Sequence, residues 1–377
     1  MQTPNWQEIR QNHPALQNQI YFDSARCGIL SKQTAKVGHQ FYQDFVEKGS
    51  AMRPIWEAEI KVVRQKAANT IGAKPNEITL VPNCSIGLNY AAQMLRTRKE
   101  GQKVLLLSED YASVKLPWLV NRFEVVDFPQ LPNGSLEMES LKETILKQQI
   151  EVVAVSYVQF SSGYKIDLEA LGVFCRKNGV VLVIDATQAF GAMPMDVKTL
   201  KVDILVASVF KWACAGFGVG IMYVREELFE AYRPPVMGAE SQGIAAKIEH
   251  ISDINFSGYT FQTGNYDYKS NLILGTAIDQ MNEIGLENIE YRIEALQNHL
   301  LLQLQKIGVV VVSDYSPSNR AAITIIEGSQ VLWEFLKENN TVVSLRGKGI
   351  RISPHYYNTF EDIDNLCALL QQFAKSS

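Results

Sequence analysis

The 377-residue sequence lacks several features that would place it in other classes of protein. No apolar run approaches membrane-spanning length, and the segment from Met1 to Arg10 has neither a basic start nor an apolar core, so we expect no signal peptide. The five cysteines are scattered, odd in number and without metal-ligand spacing, which predicts no metal site and a reducing cytoplasm. The net charge of −4 comes without a basic block, so nucleic acid and anionic membranes are not expected partners.

The composition is that of a globular protein, with 46% hydrophobic and 20% charged residues, and the length suggests about two domains. Between about residues 75 and 225, short apolar runs alternate with helical patterns. Runs that are apolar on both faces are typical of a mostly parallel sheet covered on both sides, so we predict an α/β layer. The runs are Val104–Ser108, Val152–Val158, Val180–Ile184, Ile204–Ala207 and Val219–Val224.

The pattern changes after residue 270 to a long amphipathic helical stretch, Leu272 to Ile307, that is broken near Gly285. Strand-like runs gathered in one block with helices at either end predict a smaller α+β domain. These runs are Val309–Ser313, Ala321–Ile326, Val342–Arg346 and Ile350–Ser353, followed by a helix from about Phe360 to Phe373. We therefore predict a large domain over residues 18–265 and a small one formed by residues 1–17 and 266–377.

Two residues that follow predicted strands indicate the chemistry. Asp185 ends one run, and Lys211 follows another and precedes the glycine-rich stretch from Gly216 to Gly220. Ligands of such sheets bind at the carboxyl ends of the strands, where both side chains would lie. A lysine can form an imine with a carbonyl cofactor, and an aspartate can keep a pyridine nitrogen protonated, so the pair suggests pyridoxal phosphate. Singly, each residue also fits a structural role, as a snorkelling lysine or a helix cap.

The residues around this pair resemble the class V aminotransferases, which are pyridoxal phosphate enzymes of fold type I and include cysteine desulfurases and isopenicillin N epimerase-like proteins. Val183–Gly191 and Ser208–Lys211 are similar to the family's Asp-x-x-Gln and Ser-x-His-Lys motifs. The resemblance covers nearly the whole chain. It implies that Lys211 binds the cofactor covalently, Asp185 pairs with the ring nitrogen and Gln188 donates to the phenolic oxygen.

Other cofactor contacts follow from the same resemblance. The segment from Asn83 to Asn89 is similar to a helix start that holds the phosphate, which assigns Cys84 and Ser85 to the phosphate, with a plain N-cap as the alternative for Ser85. Ser208 is implied as a second phosphate ligand. Tyr111 stands where the family has a histidine stacked on the ring; because it cannot replace the histidine in proton transfer, acid-base work would fall mainly to Lys211.

Two departures concern the phosphate and the subunit interface. Phe210 occupies the family's motif histidine position, and its Gly-Thr segment, which reaches the phosphate of the neighbouring subunit, is here Thr263-Gly-Asn265. Thr263 or Asn265 would substitute for it. The resemblance thus implies a homodimer with active sites at the subunit interface. The glycine-rich stretch lacks dinucleotide spacing, and we interpret it as a turn near the cofactor.

Arg351 lies in a run that resembles the family's closing Arg-x-Ser motif, which implies an anchor for the substrate carboxylate, with Arg346 and Arg26 the next candidates and a surface salt bridge the alternative role. A persulfide-forming cysteine is absent from the short loop before Arg351, and Cys27 is the only thiol of interest. Transamination of an amino acid is favoured slightly over carbon-sulfur lysis; epimerisation and a non-catalytic cofactor-binding protein stay open. The missing dinucleotide fingerprint excludes a nicotinamide oxidoreductase.

Overall fold

The computed structural model of the chain describes residues 4–97, 101–241, 254–313, 315–347 and 349–376. Residues 1–3 of the predicted small-domain segment and Lys348 of the loop before Arg351 lie outside this set. The strands are β1 (Ile20–Tyr21), β2 (Ile78–Val81), β3 (Lys103–Leu107), β4 (Glu124–Phe128), β5 (Val152–Ser156), β6 (Val181–Asp185), β7 (Ile204–Ser208), β8 (Gly220–Val224), β9 (Thr324–Glu327), β10 (Thr341–Val342), β11 (Ser344–Arg346) and β12 (Gly349–Ile352). The helices are α1 (Trp6–Gln11), α2 (Lys32–Lys48), α3 (Arg53–Thr70), α4 (Cys84–Leu95), α5 (Ala112–Val120), α6 (Met138–Lys147), α7 (Leu168–Lys177), α8 (Leu228–Ala231), α9 (Tyr268–Ile284), α10 (Leu286–Lys306), α11 (Gln330–Glu338) and α12 (Phe360–Ser376).

A seven-stranded sheet with the order β2-β8-β7-β6-β5-β3-β4 forms the centre of the large layer. Its strands are parallel except β8, which runs antiparallel to both neighbours. Alternate residues of β3 enter different cores: Leu105 and Leu107 join one hydrophobic cluster, and Val104 and Leu106 join the other. Burial on both faces explains the continuous apolar runs of the sequence.

The carboxyl ends of β2, β3, β5, β6 and β7 lie at one edge of this sheet, because reversal at β8 leaves β2 parallel to β7. Register aligns Ser156 at the end of β5 with Asp185 at the end of β6, and Ser208 with Gly220 and Val81 across β8. The turns and helix starts that follow these strands therefore converge on the same place.

A second layer is built on the antiparallel sheet β11-β12-β9 with the later helices. Its core joins Leu300 of α10, Leu336 of α11 and Leu366 of α12, and Phe22 beside β1 belongs to it as well. Helix α9, by contrast, packs on α2 and α3. The boundary after residue 265 stays a prediction; in terms of packing, α9 lies with the large layer and the second half of α10 with the small sheet.

One predicted strand is wrong. Residues 309–313 form only an isolated bridge, in which Val311 pairs with Ile326 and the Val312 amide donates to the Ile325 carbonyl over 2.8 Å. Val310 and Val312 are 55% and 41% exposed, so one face of the run is open, while Val309 and Val311 on the other face pack partly buried against the core of the small layer. Within the described part of the chain, no helix is both long and apolar enough to cross a membrane.

Candidate active site

A cleft of about 280 Å³ lies at the carboxyl edge of the large sheet, between that edge and the small layer. It brings together eight of the ten residues predicted for the site. They are Lys211, Asp185, Gln188, Ser208, Ser85, Cys84, Tyr111 and Arg351.

Lys211 lies three residues beyond β7, with its Nζ 5.9 Å from the centre of the Tyr111 ring and 5.8 Å from that of Phe210. Burial lowers the pKa of Lys211 to about 8; Arg351 acts in the same direction and Asp185 opposes it. A larger fraction of the amine is therefore neutral near neutral pH than for an ordinary lysine, which is the state that attacks a carbonyl.

Asp185 is buried at the end of β6, where its Oδ1 accepts a hydrogen bond of 2.8 Å from the Thr187 amide. The Thr187 hydroxyl in turn accepts from the Ser208 amide over 3.0 Å, so one residue links the ends of β6 and β7. Thr187 was not predicted from the sequence, although its place inside the Asp-x-x-Gln motif was a usable signal.

Gln188 is held in one orientation by two contacts. Its Oε1 accepts from Trp212 Nε1 over 2.7 Å, and its Nε2 donates to the Ala25 carbonyl over 3.0 Å. Trp212 is fixed in turn by His355, whose Nε2 lies 2.8 Å from the Trp212 carbonyl and whose pKa burial lowers to about 3. The amide nitrogen of Gln188 thus keeps one N–H for the cleft.

The start of α4 is capped by Asn83, whose side chain accepts from the Ile86 amide over 3.0 Å. Ser85 is therefore not the N-cap, and its hydroxyl lies 2.7 Å from that of Ser113. The Cys84 amide donates to Ser208 Oγ over 3.0 Å, which leaves the Ser85 amide without an acceptor among the described residues. An open amide at a helix N-terminus beside three hydroxyls suits a phosphate.

Tyr111 is the N-cap of α5, is 48% exposed and meets the Phe160 ring edge to face at a centroid distance of 5.2 Å. Below it, the buried Asp110 carboxylate accepts from the Tyr111 amide over 2.7 Å and from the amide and hydroxyl of Ser156 over 2.8 and 2.6 Å. Burial raises the pKa of Asp110. Asp110 fixes the backbone from which Tyr111 projects, and no sequence motif pointed to this role.

Arg351 is buried, so a surface salt bridge is not its role. Its Nη2 lies 3.5 Å from Asp23 Oδ1, and its Nη1 donates to the Phe160 carbonyl over 3.1 Å. Its Nε is buried and has no hydrogen-bond partner among the described residues. A buried guanidinium with unused donors is suited to an anionic ligand.

Thr263 and Asn265 do not lie in this cleft. They line a separate cavity of about 180 Å³ together with Gly218. Gly218 has φ +95, and a Cβ there would lie 2.9 Å from Ser270 Oγ. Gly218 thus packs against the start of α9, whereas Gly220 of the same stretch lies against Asn83, which lines the cleft. The interpretation of the stretch as a turn near the cofactor stays a prediction.

The thiols near the cleft are not activated. Burial raises the pKa of Cys84 well above its ordinary value, and it raises the pKa of Cys27 as well. All five cysteines are free. Over the described ranges, no cluster of His, Cys, Asp or Glu could hold a metal ion.

The cleft fits pyridoxal phosphate in its donor set. It offers a lysine of lowered pKa, a buried carboxylate, and an open helix amide beside hydroxyls. When bound, the cofactor supplies an electron sink for the carbanion formed at a substrate Cα. The fold and this site define a pyridoxal-phosphate-dependent enzyme.

Comparison with known proteins agrees with this class. The family profile of class-V aminotransferases matches residues 20–366, and the chain belongs to that family. It is 26% identical over 363 residues to the uncharacterized aminotransferase YcbU of Bacillus subtilis, with 95% of each chain covered. It is 24% identical to a probable cysteine desulfurase of Pyrococcus abyssi, with 98% of each chain covered.

Solved structures show the same fold. A cysteine desulfurase from Thermococcus onnurineus NA1 superposes with a TM-score of 0.89 at 22% identity, covering 100% of this chain and 99% of that one. The cystine C-S lyase C-DES gives 0.85 at 21% identity, covering 95% and 99%. The predicted fold-type I architecture and the predicted enzyme class, an aminotransferase or carbon-sulfur lyase that acts on an amino acid, are confirmed.

Proposed function

We propose that the chain is an aminotransferase that moves the amino group of an amino acid. The observation that carries this proposal is that Lys211, Asp185 and Arg351 line one cleft, with the pKa of Lys211 at about 8. An amine of which an appreciable fraction is neutral near neutral pH can both attack a carbonyl group and move a proton at the substrate Cα. No other base in the cleft matches it, because Tyr111 stands in the place of the family histidine.

Each remaining residue holds or orients the reacting groups. Asp185 keeps the ring nitrogen protonated, and Gln188 offers its remaining N–H to the phenolic oxygen. The Ser85 amide and the hydroxyls of Ser85 and Ser208 hold the phosphate. The Cys84 side chain lines the cleft as a neutral thiol.

Arg351 binds the substrate carboxylate in this proposal. Asp23 and the Phe160 carbonyl restrain its guanidinium, so little side-chain entropy is lost when the substrate binds. A fixed carboxylate determines which bond at the Cα stands perpendicular to the ring, and that bond is the one that breaks.

Carbon-sulfur lysis is the second candidate. It is favoured by the relatives and solved structures that are named cysteine desulfurase or cystine C-S lyase. A persulfide route has no thiol in the loop from Arg346 to Arg351, and Cys27 is half-buried with a raised pKa. Elimination without a protein persulfide would need only Lys211 and the cofactor.

We further propose a homodimer in which Thr263 or Asn265 serves the neighbour's phosphate. Support comes from their distance from the chain's own cleft and from exposed apolar side chains, including Val46 at 87% and Phe217 at 69% exposed.

The five free thiols support a cytoplasmic location. Residues 18–265 would form the large domain and residues 1–17 with 266–377 the small one.

One panel of amino acids tests these alternatives. Purified enzyme would be scored for keto acid, for ammonia with pyruvate and for inverted stereochemistry. Keto acid formed in proportion to the pyridoxamine form of the cofactor supports transamination, ammonia with pyruvate supports the lyase, and inversion supports an epimerase. No product with any amino acid would leave only a cofactor-binding protein.

The cofactor attachment is tested separately by borohydride reduction and peptide mapping. The adduct is expected on Lys211, and it should be lost in Lys211→Ala. The matched control is Lys177→Ala, which removes an exposed lysine on α7. An adduct on any other lysine would overturn the assignment.

A further inference from the structure

Two arginines of the cleft have no assigned partner. Arg26 and Arg346 are exposed residues that line the cleft beside the buried Arg351. Neither makes a salt bridge or a side-chain hydrogen bond with any described residue, whereas Arg351 is paired with Asp23. Among the described residues that line the cleft, four are cationic and one, Asp185, is anionic.

The β11–β12 hairpin explains the place of Arg346. Ser344 pairs with Arg351 and Arg346 with Gly349 in the antiparallel register. Residues two apart on a strand share a face, so Arg346 lies on the same face of the small sheet as Arg351. Gly349 has no side chain, so its paired position on the next strand does not cover the Arg346 guanidinium.

Arg26 reaches the same side of the cleft from a different element. Asp23 forms a bridge with Ser353, two residues after Arg351, and the Arg26 amide donates to the Asp23 carbonyl over 2.9 Å. Burial is the main cause that lowers the pKa of Arg351, and Arg346 and Arg26 lower it further, as like charges within electrostatic reach do. At the start of α4, by contrast, the charges that act on Cys84 are Asp185 and Lys211. The free arginines therefore cluster around the carboxylate anchor and not around the phosphate cradle.

An amino acid with an uncharged side chain would leave an excess of positive charge at Arg26, Arg346 and Arg351. Its carboxylate would satisfy Arg351, while Arg26 and Arg346 would still line the cleft without an anion. We propose that Arg26 and Arg346 bind a second anionic group, so that the substrate is an amino acid with an acidic side chain. This inference rests on the proposed function, because it takes Arg351 as the anchor for the first carboxylate.

Substrate preference tests the proposal. kcat/KM would be measured for aspartate, glutamate, alanine and cysteine in the parent enzyme, in the double variant Arg26→Ala with Arg346→Ala, and in Lys177→Ala as a control for the loss of positive charge. In the parent, we expect kcat/KM for the better of aspartate and glutamate to exceed that for alanine and cysteine by at least about tenfold. The double variant should lose this ratio, because each substituted arginine removes a charge-assisted hydrogen bond to the acidic side chain. An equal preference in the parent, or an unchanged ratio in the double variant, would overturn the proposal.

A binding measurement separates this proposal from the proposed function. Succinate, glutarate and propionate have no amino group and cannot react, so their affinity for the holoenzyme can be measured by calorimetry. The two dicarboxylates should bind more tightly than propionate, and the double variant should lose the difference. Dicarboxylate binding without turnover of any amino acid would sink the proposed function and keep the second anion site. Equal affinity for all three acids, or a double variant whose main defect is weaker retention of pyridoxal phosphate, would sink the second anion site.

Discussion

The reactivity of Lys211 is set mainly by its burial, and the charges around it raise or lower its pKa further. With a pKa of about 8, roughly one amine in ten is neutral at pH 7, compared with roughly one in three thousand at the ordinary value of 10.5. The rate at which the cofactor-free enzyme takes up pyridoxal phosphate should therefore rise with pH through a midpoint near 8. Stopped-flow absorbance across pH 6 to 10 measures this midpoint, and a midpoint near 10 would contradict the assigned environment.

Two substitutions should move that midpoint in opposite directions. Asp185 raises the pKa of Lys211, so Asp185→Asn should shift the midpoint below that of the parent. Arg346 lowers it, so Arg346→Ala should shift the midpoint upward. The control Lys177→Ala should leave it in place. Shifts of the same sign in the two variants would mean that the midpoint does not report Lys211.

Arg351 combines two roles that substitutions can separate. Arg351→Ala removes the cation beside the buried Asp23, which then keeps, among the described residues, only the hydrogen bond from the Ser344 hydroxyl, so the variant should lose stability and its loss of activity would be ambiguous. Arg351→Lys keeps a positive charge beside Asp23 and loses the planar fork. We expect Arg351→Lys to melt closer to the parent than Arg351→Ala and to lower kcat/KM for amino acids by about tenfold. A Lys variant with the parent's kcat/KM would assign the carboxylate elsewhere.

At the scale of single elements, the segment after β1 packs closely against the loop that carries Lys211, and Gly28 makes this close approach possible. The Gly28 amide donates to the Phe210 carbonyl over 2.9 Å, and a Cβ at Gly28 would collide with the Lys211 carbonyl oxygen and lie 2.8 Å from Cys214 Sγ. Gly28→Ala must push the two segments apart. Because Ala25 accepts from Gln188 and Arg26 lines the cleft, both contacts would shift with it.

We expect Gly28→Ala to fold, to melt at a lower temperature than the parent, and to bind pyridoxal phosphate more weakly. Overpacking of this kind typically costs about 1–3 kcal/mol. Gly179→Ala is the control for backbone strain without crowding, because Gly179, unlike Gly28, has a positive φ and a Cβ there meets nothing within 4 Å. Cofactor affinity unchanged in Gly28→Ala, with only the melting temperature lowered, would show that this contact does not shape the cleft.

The sequence predicted the elements that are buried on both faces and the residues at their ends. Asp185 and Lys211 could be located because a continuous apolar run marks a parallel strand and its polar successor marks the ligand edge. Asp110 and the Trp212–Gln188 contact could not, because they join segments that only the tertiary fold brings together. The predicted strand at residues 309–313 was wrong for a related reason. An apolar composition does not by itself supply the neighbouring strands with which a run must pair.

At the scale of the whole molecule, the oligomeric state determines which residues can hold the phosphate. Thr263 and Asn265 lie outside the cleft of their own chain, and a homodimer would bring them to the neighbouring cleft. Each complete site would then take Lys211 from one subunit and residues 263 and 265 from the other. Two variants that are each defective in a different subunit contribution can restore one complete site when they share a dimer.

We therefore expect complementation between Lys211→Ala and the double variant Thr263→Ala with Asn265→Ala. After the two are mixed, unfolded and refolded together, a mixed dimer contains one site with no substitution and one with all three. Activity and tight cofactor binding should recover to about a quarter of the parent level, since half of the dimers are mixed and each has one intact site. Refolding each variant alone is the control. If mixing restores nothing while size measurements show mixed dimers, Thr263 and Asn265 serve no partner's phosphate. If the chain stays monomeric and the parent is active, each cleft is complete by itself.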